Sequence, residues 1–359
     1  MASANIIRVA VGGQGRSGYN IHTKQIKANP ETFKVVAIAD QLPERREDAQ
    51  VELDAKVYGD WRPMLKEGGF DLFVNSLPSP LHVDATIEAL NSGYHVLCEK
   101  PMARTVADFD RMVEAAGKNS KELFPFQNNR VQPFFDKIQE IVASGVIGPL
   151  IHIRSTWSGY RRRWDWQTMR KHYGGNLLNT GPHALDQALQ LFGTDAKPKV
   201  TCSMDRANSF GDAEDHVKIL LQARGRPTVD LEISSCSAFP QASCEIYGTR
   251  GGLRHDGEGL RWRYFKPQGQ PRRALSEAPI QNAAGIPAYC SEELKWQERS
   301  WTPPGKKKPE NQQYYDMLYK TLSAAVPLEI TLEQVRQQVA VMEECHRQNP
   351  AARMPKAEW

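Results

Sequence analysis

The residue pattern with the clearest chemical potential is a glycine loop followed, one strand later, by an acid. An apolar run over residues 6–11 leads straight into Gly13-Gln14-Gly15-Arg16-Ser17-Gly18, a GxGxxG pattern. The first glycine of such a loop permits a tight turn, and the second lets backbone approach a pyrophosphate. The third lets helix and strand pack closely, with the helix N-terminus facing the anion. Gly13, Gly15, Arg16, Ser17 and Gly18 are therefore candidate cofactor-binding residues. A second apolar run ends in Ala37-Ile38-Ala39-Asp40. Asp40 stands where an acid hydrogen-bonds the ribose hydroxyls of NAD and repels a 2′-phosphate. NAD is the expected cofactor, with NADP kept as the alternative because Arg45 and Arg46 follow closely. A further stretch, Trp157-Ser158-Gly159-Tyr160-Arg161-Arg162-Arg163-Trp164-Asp165-Trp166, sets aromatic rings beside arginines and an acid. Rings stack on carbohydrate C–H faces and charged groups pair with hydroxyls. Tyr160, Arg163, Trp164 and Trp166 are thus candidate substrate contacts. A loop that covers the cofactor or forms an interface is the equal alternative.

These residues need a scaffold, and the chain supplies one. Residues 6–11, 35–40, 71–76 and 94–98 read as strands. Residues 82–91 read as a helix stopped by Gly93. Thr105 and Asp108 form a capping pair ahead of Phe109, Met112, Val113 and Ala116 at helical spacing, a run that Gly117 ends. Strands alternating with helices predict a parallel sheet with helices on both faces. After about residue 125 the character changes. Residues 133–145 read as a helix and 150–156 as a strand. Strand-like segments then follow one another at 200–205, 216–223, 228–234, 243–248 and 260–265, an antiparallel signature. Residues 268–308, rich in Pro, Gly and charge, read as a long loop. A last helix begins at a capping box of Thr331 and Gln334, turning Leu332, Val335, Val339 and Met342 inward. The expected organisation is a dinucleotide-binding domain over 1–125 and an α+β domain over 126–359, whose last helix is able to return to the first domain.

Composition narrows the function classes. A length of 359 residues suits two domains, and 40% hydrophobic residues suffice for a core. A net charge of +4 gives no reason to expect nucleic acid or an acidic membrane. The run Lys306-Lys307-Lys308 reads as a solvated loop. The six cysteines form no CxxC pair and read as reduced thiols, and no metal-ligand spacing occurs. The opening MASANIIRVAVGG lacks the charged and long apolar regions of a signal peptide. No apolar stretch approaches the roughly 18 residues of a membrane span. The expected location is the cytoplasm.

Two more stretches carry a family resemblance. One is Asn75-Ser76-Leu77-Pro78-Ser79-Pro80-Leu81-His82, followed by a helix and then Gly93-Tyr94-His95-Val96-Leu97-Cys98-Glu99-Lys100-Pro101. The other is Gly174-Gly175-Asn176-Leu177-Leu178-Asn179-Thr180-Gly181-Pro182-His183-Ala184-Leu185-Asp186. With the glycine loop they resemble the glucose–fructose oxidoreductase/inositol dehydrogenase/MocA family, over residues 6 to about 349. The resemblance implies an α/β chain: an N-terminal Rossmann domain with a doubly wound parallel sheet, then a C-terminal α+β domain with a large, mostly antiparallel sheet. It also implies dimers or tetramers formed on the open face of that sheet, and sugars, inositols or related polyols as substrates.

Hydride transfer from a carbinol needs the C–H against the nicotinamide, an exit for the hydroxyl proton, and polarisation of the developing carbonyl. Lys100, after the fourth predicted strand at the carboxyl edge of the sheet, suits polarisation and proton relay, and Pro101 restricts its backbone. Glu99 resembles the family's acid that orients cofactor and lysine. His183 resembles the family's catalytic histidine, able to accept and return a proton near neutral pH. Where relatives often place an aspartate four residues earlier, this chain has Asn179, which binds a hydroxyl but cannot act as a base. Asp186 is positioned to orient His183 if the segment is helical. Ser76, Leu77, Pro78 and His82 resemble the segment beside the nicotinamide and ribose. Three functions follow as alternatives: a sugar or polyol dehydrogenase with exchanging NAD, an enzyme that retains and recycles NAD, or a non-catalytic NAD sensor. Retention of Glu99-Lys100-Pro101 and His183 argues against the last.

Overall fold

The computed structural model describes residues 6–350 apart from 240, 256, 304, 306 and 307. The first five residues of the N-terminal stretch, and Lys306 and Lys307 of the lysine run, lie outside the described residues. The chain builds two sheets. The first domain runs β1 (Ile7–Gly12), a π-helical turn Gly18–Thr23 continued by α1 (Lys24–Lys27), β2 (Phe33–Ala39), α2 (Pro43–Leu53), β3 (Lys56–Tyr58), α3 (Trp61–Glu67), β4 (Leu72–Asn75), α4 (His82–Asn91), β5 (His95–Cys98), α5 (Val106–Lys118) and β6 (Leu123–Pro125). Its strands are ordered β3-β2-β1-β4-β5-β6, and every pair is parallel. The order reverses between β2-β1 and β4, which opens a crevice at the carboxyl ends of the strands. Val9, Val11, Ile38, Phe73, Val74, Val96 and Leu97 are fully buried, as strands covered on both faces require.

The second domain runs α6 (Pro133–Ala143), β7 (Leu150–Ser158), α7 (Asn176–Asn179), α8 (Gly181–Phe192), β8 (Lys199–Asp205), β9 (His216–Gln222), β10 (Thr228–Ser234), β11 (Cys244–Gly248), β12 (Gly251–His255), β13 (Leu260–Tyr264), β14 (Gln297–Trp301), α9 (Glu310–Ala324) and α10 (Leu332–Gln348). The sheet order is β14-β13-β12-β11-β7-β10-β9-β8, antiparallel except for β7 beside β10. Along β9 and β10 every second residue (Val217, Ile219, Leu221; Val229, Leu231, Ile233) is buried. The intervening Lys218, Asp230 and Glu232 form ion pairs on the other face.

Several expectations need correcting. The segment read as one loop over 268–308 contains β14, whose QERSW sequence shows no apolar alternation because it pairs at the sheet edge with β13 alone. β3, β6, β12, α2, α3 and α9 carry too short or too polar a pattern to be read. α5 passes through Gly117 to Lys118. The Thr331–Gln334 capping box forms as expected, and Val335, Val339 and Met342 face inward.

The last two helices return to the first domain. Tyr314 donates to the Pro125 carbonyl at 2.7 Å, and Tyr315 packs edge-on against Phe33. On α10, Arg336 grips Asp110 at 2.7 and 2.8 Å, and Glu343 accepts from the Val106 amide. Gln338 bridges Gln127 to the Pro182 carbonyl, joining both domains next to the start of α8.

Two buried acids hold the α7–α8 corner. Asp186 does not reach His183; its carboxylate makes a two-toothed pair with Arg130 at 2.6 and 2.5 Å. The helical spacing expected for His183 and Asp186 is present, but a fully ionised guanidinium in a buried setting outcompetes a neutral imidazole for the carboxylate. Glu214 accepts from the Leu177 amide at 3.0 Å and presses so closely on Gly175 (φ +108) that a Cβ there would lie 2.2 Å from its oxygen. Burial pushes the Glu214 carboxyl up to about 7, against the lowering effect of the Leu177 amide.

Asp186→Ala, which strands Arg130 in the interior, should cost about 3–5 kcal/mol in urea unfolding; an unchanged midpoint would remove the pair from the stability of the fold. Because the folded Glu214 carboxyl titrates above the ordinary value of 4.5, its contribution is complete below about pH 4.5 and lost as pH rises through about 7. Glu214→Gln should therefore gain on the wild type by on the order of 2 kcal/mol between pH 5 and 8, read as a melting-temperature difference that grows with pH.

Candidate active site

A cleft of about 640 Å³ runs along the carboxyl edge of the first sheet, from Gly13, Gly15 and Asp40 at one end to Lys100, Leu178 and Asn179 at the other. Its floor is the glycine loop. Gly13 has φ +91, and a Cβ on it would lie 2.5 Å from the Ser76 carbonyl oxygen. A Cβ on Gly18 would strike the Gly13 carbonyl at 1.8 Å. Both positions exclude larger residues. Gly15 differs: a Cβ there would meet only the Arg45 guanidinium, at 3.8 Å, so its outer side opens on the cleft. Arg16 and Ser17 line the same end. A loop closed behind and open in front is a cradle for a pyrophosphate, and the residues present fit a nicotinamide dinucleotide.

Asp40 is buried at the tip of β2. Its Oδ2 accepts from the Gln14 amide at 2.7 Å and its Oδ1 from the Leu42 amide at 2.9 Å. Arg45 approaches Oδ2 at 3.4 Å. Farther along, the Ser76 hydroxyl lies 2.9 Å from the carbonyls of Gly12 and Gly13, tying the second loop to the first. Leu77 and Pro78 line the cleft. His82 also borders it but is buried, with Nδ1 2.8 Å from the Pro101 carbonyl and Nε2 2.9 Å from the Leu77 carbonyl. Burial lowers the His82 pKa, and a neutral ring has one N–H, so His82 donates to one of these two carbonyls and packs against the other. The Lys100–Pro101 peptide bond is cis.

Glu99 and Lys100 end β5. Burial would raise the Glu99 carboxyl, but the hydrogen bond and charge of His22, with the Lys100 charge, bring it down to about 2. His22 Nε2 lies 3.2 Å from Glu99 Oε1, and His22 Nδ1 lies 2.8 Å from the Tyr315 hydroxyl. The other Glu99 oxygen accepts from the Lys100 backbone amide at 3.0 Å. The Lys100 ammonium itself turns across the cleft and donates to the Asn179 carbonyl at 2.7 Å. Burial lowers its pKa and the Glu99 charge pulls it back.

His183 sits in the first turn of α8, behind Asn179. Its Nδ1 is buried with no partner among the described residues. Burial and then the Lys100 charge lower its pKa to about 3, so the ring is neutral at physiological pH. The Asn179 amide reaches Gln167 at 3.4 Å, and Gln167 accepts from Arg163 at 2.7 Å. Arg163 also forms a two-toothed pair with Asp165, at 2.8 Å on each arm.

Arg163 and Trp166 line the cleft as the substrate reading expects, but Tyr160 and Trp164 do not. Tyr160 is exposed and bridges to Cys236, and Trp164, 76% exposed, packs edge-on against Phe210. Neighbouring side chains of an extended segment point to opposite sides, so presenting Arg163 and Asp165 inward turns Trp164 away. His22, Tyr315, Gln167 and Tyr173 were invisible to the sequence reading. A histidine four residues beyond Gly18 carries no spacing signal, and its tyrosine partner lies 293 positions away.

Chemically, the far end of the cleft offers one cationic donor, Lys100; His183 does not line the cleft and lies behind it, its ring kept neutral by burial and then by the Lys100 charge. The lysine ammonium can polarise an oxygen brought into the cleft.

Comparison with known proteins agrees with the two-part fold. Residues 7–127 match the model of the oxidoreductase family with an NAD-binding Rossmann fold, and residues 135–254 match the GFO/IDH/MocA C-terminal domain. An uncharacterized oxidoreductase of Schizosaccharomyces pombe is 30% identical over 254 residues, 68% of this chain and 69% of its own length. The 2,7-anhydro-N-acetylneuraminate hydratase of Mediterraneibacter gnavus is 26% identical over 257 residues, 69% and 66% of the two chains. The crystal structure of the WlbA dehydrogenase of Bordetella pertussis, in complex with NADH and UDP-GlcNAcA, superposes with a TM-score of 0.75 at 21% identity, covering 96% of each chain. The crevice, the loop-and-acid pair and these matches together place the chain in the Gfo/Idh/MocA family of NAD-binding oxidoreductases.

Proposed function

We propose that this protein is an NAD-dependent oxidoreductase that moves a hydride between the nicotinamide and a secondary alcohol carbon of a sugar, polyol or glycoside. The observation that carries this reading is the half-buried Lys100 ammonium, 2.7 Å from the Asn179 carbonyl, near the neutral His183. A bound nicotinamide supplies the hydride acceptor. The chain does the rest. A substrate hydroxyl displacing the Asn179 carbonyl receives a hydrogen bond from Lys100, which stabilises negative charge on that oxygen as the C–H bond breaks. Lys100 and His183 share a desolvated corner where two positive charges are costly, so the proton rests on the lysine and the imidazole stays free. His183, which lies behind the cleft wall in this structure, takes the hydroxyl proton as the carbonyl forms once its ring turns toward the substrate. Arg163, Asp165, Trp166 and Gln167 supply charge, a ring and an amide for the remaining hydroxyls, and Asn179 adds its amide.

A second reading is a redox-neutral enzyme that retains its NAD and oxidises the sugar only transiently. A hydratase among the relatives favours it, since addition of water involves no net oxidation. The expected setting is the cytoplasm; no helix among the described residues is long and apolar enough to cross a membrane. The ion-paired face of the second sheet, running Arg254–Glu245–Arg154–Asp230–Lys218, is the surface proposed to meet a second copy in a homodimer or homotetramer.

Incubation with NAD and a panel of sugars, inositols and glycosides tests both readings. NADH formation supports the dehydrogenase, and product without NADH supports recycling. Either activity should fall at least a hundredfold in Lys100→Ala and in His183→Ala; NAD binding without turnover across the panel would leave a sensor. The pH profile of kcat/KM should show its alkaline limb below the ordinary lysine value of 10.5, and no acid limb near 6.5, because both groups are shifted downward. An acid limb at 6.5 that disappears in His183→Ala would contradict the neutral, desolvated imidazole.

A further inference from the structure

Glu99 and Lys100 are neighbours of opposite charge at the end of β5, yet carboxylate and ammonium do not pair. A carboxylate cut off from water and left unpartnered takes the nearest cation. Here both of its oxygens are already committed. Oε1 lies 3.2 Å from His22 Nε2, and Oε2 accepts from the Lys100 backbone amide at 3.0 Å. The ammonium instead crosses the cleft to the Asn179 carbonyl, at 2.7 Å.

His22 is fully buried and held at both ring nitrogens. An ionised carboxylate only accepts, so Nε2 carries the proton that Glu99 receives. Nδ1 lies 2.8 Å from the Tyr315 hydroxyl. A hydroxyl both donates and accepts, so Tyr315 pairs with Nδ1 whether or not that nitrogen also holds a proton. The Phe126 ring, 4.6 Å away between centroids, packs against the imidazole. Tyr315 is itself set edge-on against Phe33 at 5.3 Å. The imidazole therefore has one orientation in which both nitrogens are satisfied, and that orientation aims Nε2–H at Glu99.

The surrounding charges leave Glu99 few other choices. Asp165, the other acid at this end of the cleft, is closed on Arg163. The charges that bear on Lys100 are Glu99, Arg16 and Arg163, and those that bear on Glu99 are His22, Lys100 and His82. Lys100 bears in turn on His183. The Cys98 thiol and the Tyr314 and Tyr315 phenols are pushed up by burial and stay protonated. Without the His22 donor, Glu99 has an unsatisfied oxygen and the Lys100 ammonium is the cation next to it in the chain.

We propose that His22 and Tyr315 are positioning residues for Lys100: they hold the Glu99 carboxylate away from the ammonium and so keep that ammonium in the cleft for a substrate oxygen. This rests on the reading of Lys100 as the polarising donor. The competing explanation is that alternation along the strand by itself sends the two side chains to opposite sides.

The test reads the lysine without a substrate. Acetic anhydride labels amines in proportion to their unprotonated fraction. Labelling of Lys100 against an added reference amine is followed across pH by peptide mass spectrometry, with a thermal melt confirming that each variant is folded. His22→Phe should move the midpoint of that profile to higher pH, because an ion pair with Glu99 favours the charged amine. The labelling rate at pH 8 should fall about threefold or more. His22→Gln, which keeps an N–H donor for Glu99, should restore the wild-type profile. Tyr315→Phe should shift it in the same direction by less, and carries the test if His22→Phe does not fold. In a Glu99→Gln background the His22→Phe change should have no effect, since a neutral amide does not capture the ammonium. A lowered melting temperature with the Lys100 profile unmoved, or moved to lower pH, would overturn the inference. If that happens while Lys100→Ala abolishes turnover, the proposed function stands and the inference alone fails. If Lys100→Ala turns over like the wild type, the polarising role fails and the positioning role with it.

Discussion

Glu99 is cut off from water at the end of β5, and an ionised carboxylate there survives only because other groups converge on it. His22 supplies a ring nitrogen, the Lys100 backbone supplies an amide, and the Lys100 charge lies close by. Each demand on the fold can be traced back to that arrangement. His22 reaches Glu99 from the helix that the glycine loop opens, so the same turn that cradles a pyrophosphate also delivers the carboxylate's partner. With its carboxylate spent on the backbone, Glu99 leaves the lysine ammonium free to cross the cleft and join the second domain at Asn179. An ammonium held by a carboxylate in a tight ion pair would have less to offer a substrate oxygen than one held by a neutral carbonyl.

The corner that receives the lysine is built with similar economy. α7 and α8 meet at Thr180, and the turn between them is fixed from below by Glu214 on the Leu177 amide and from the side by Arg130 on Asp186. Neither acid touches the cleft. Their work is to keep Asn179 and His183 on one rigid bend, so that the carbonyl and the imidazole keep their places relative to Lys100. Asn179 fits this geometry: the backbone carbonyl of the residue holds the lysine, and the side chain is turned to Gln167. Among the described residues, Glu99 is then the one carboxylate shown hydrogen-bonded to Lys100.

Much of this was legible in the sequence, and the reason is locality. The glycine loop and Asp40 each depend on a strand and the turn that leaves it, so spacing along the chain reports them, while the Glu99-Lys100-Pro101 segment was read from the family resemblance. α4 falls on residues 82–91 as its periodicity predicts. The parallel and antiparallel sheets follow from alternation with helices or its absence. What escaped depends on contacts between distant segments. His22 and Tyr315 meet because α9 crosses to the first domain, and nothing near either residue announces it. Asp186 was assigned to its neighbour on the helix when its true partner sits 56 positions earlier. Trp164 and Tyr160 were placed by composition, which names the residues in a loop but not the side each one faces. β14 escaped because an edge strand paired on one side needs no apolar face.

The return of α9 and α10 has a consequence for how such a chain becomes an enzyme. Synthesis delivers the nucleotide-binding half first, and its parallel sheet can close as soon as β6 has emerged. At that moment His22 has Glu99 but lacks the tyrosine hydroxyl on its other nitrogen, and the Pro125 carbonyl lacks Tyr314. Those partners leave the ribosome almost two hundred residues later, at the usual pace of translation a delay of about ten seconds or more. The early half is thus a fold with an unfinished interior, and maturation of the active centre is coupled to completion of the polypeptide. A nascent or prematurely terminated chain would hold the sheet without the buried acid's full support, which reserves a competent site for molecules that have been made through α10.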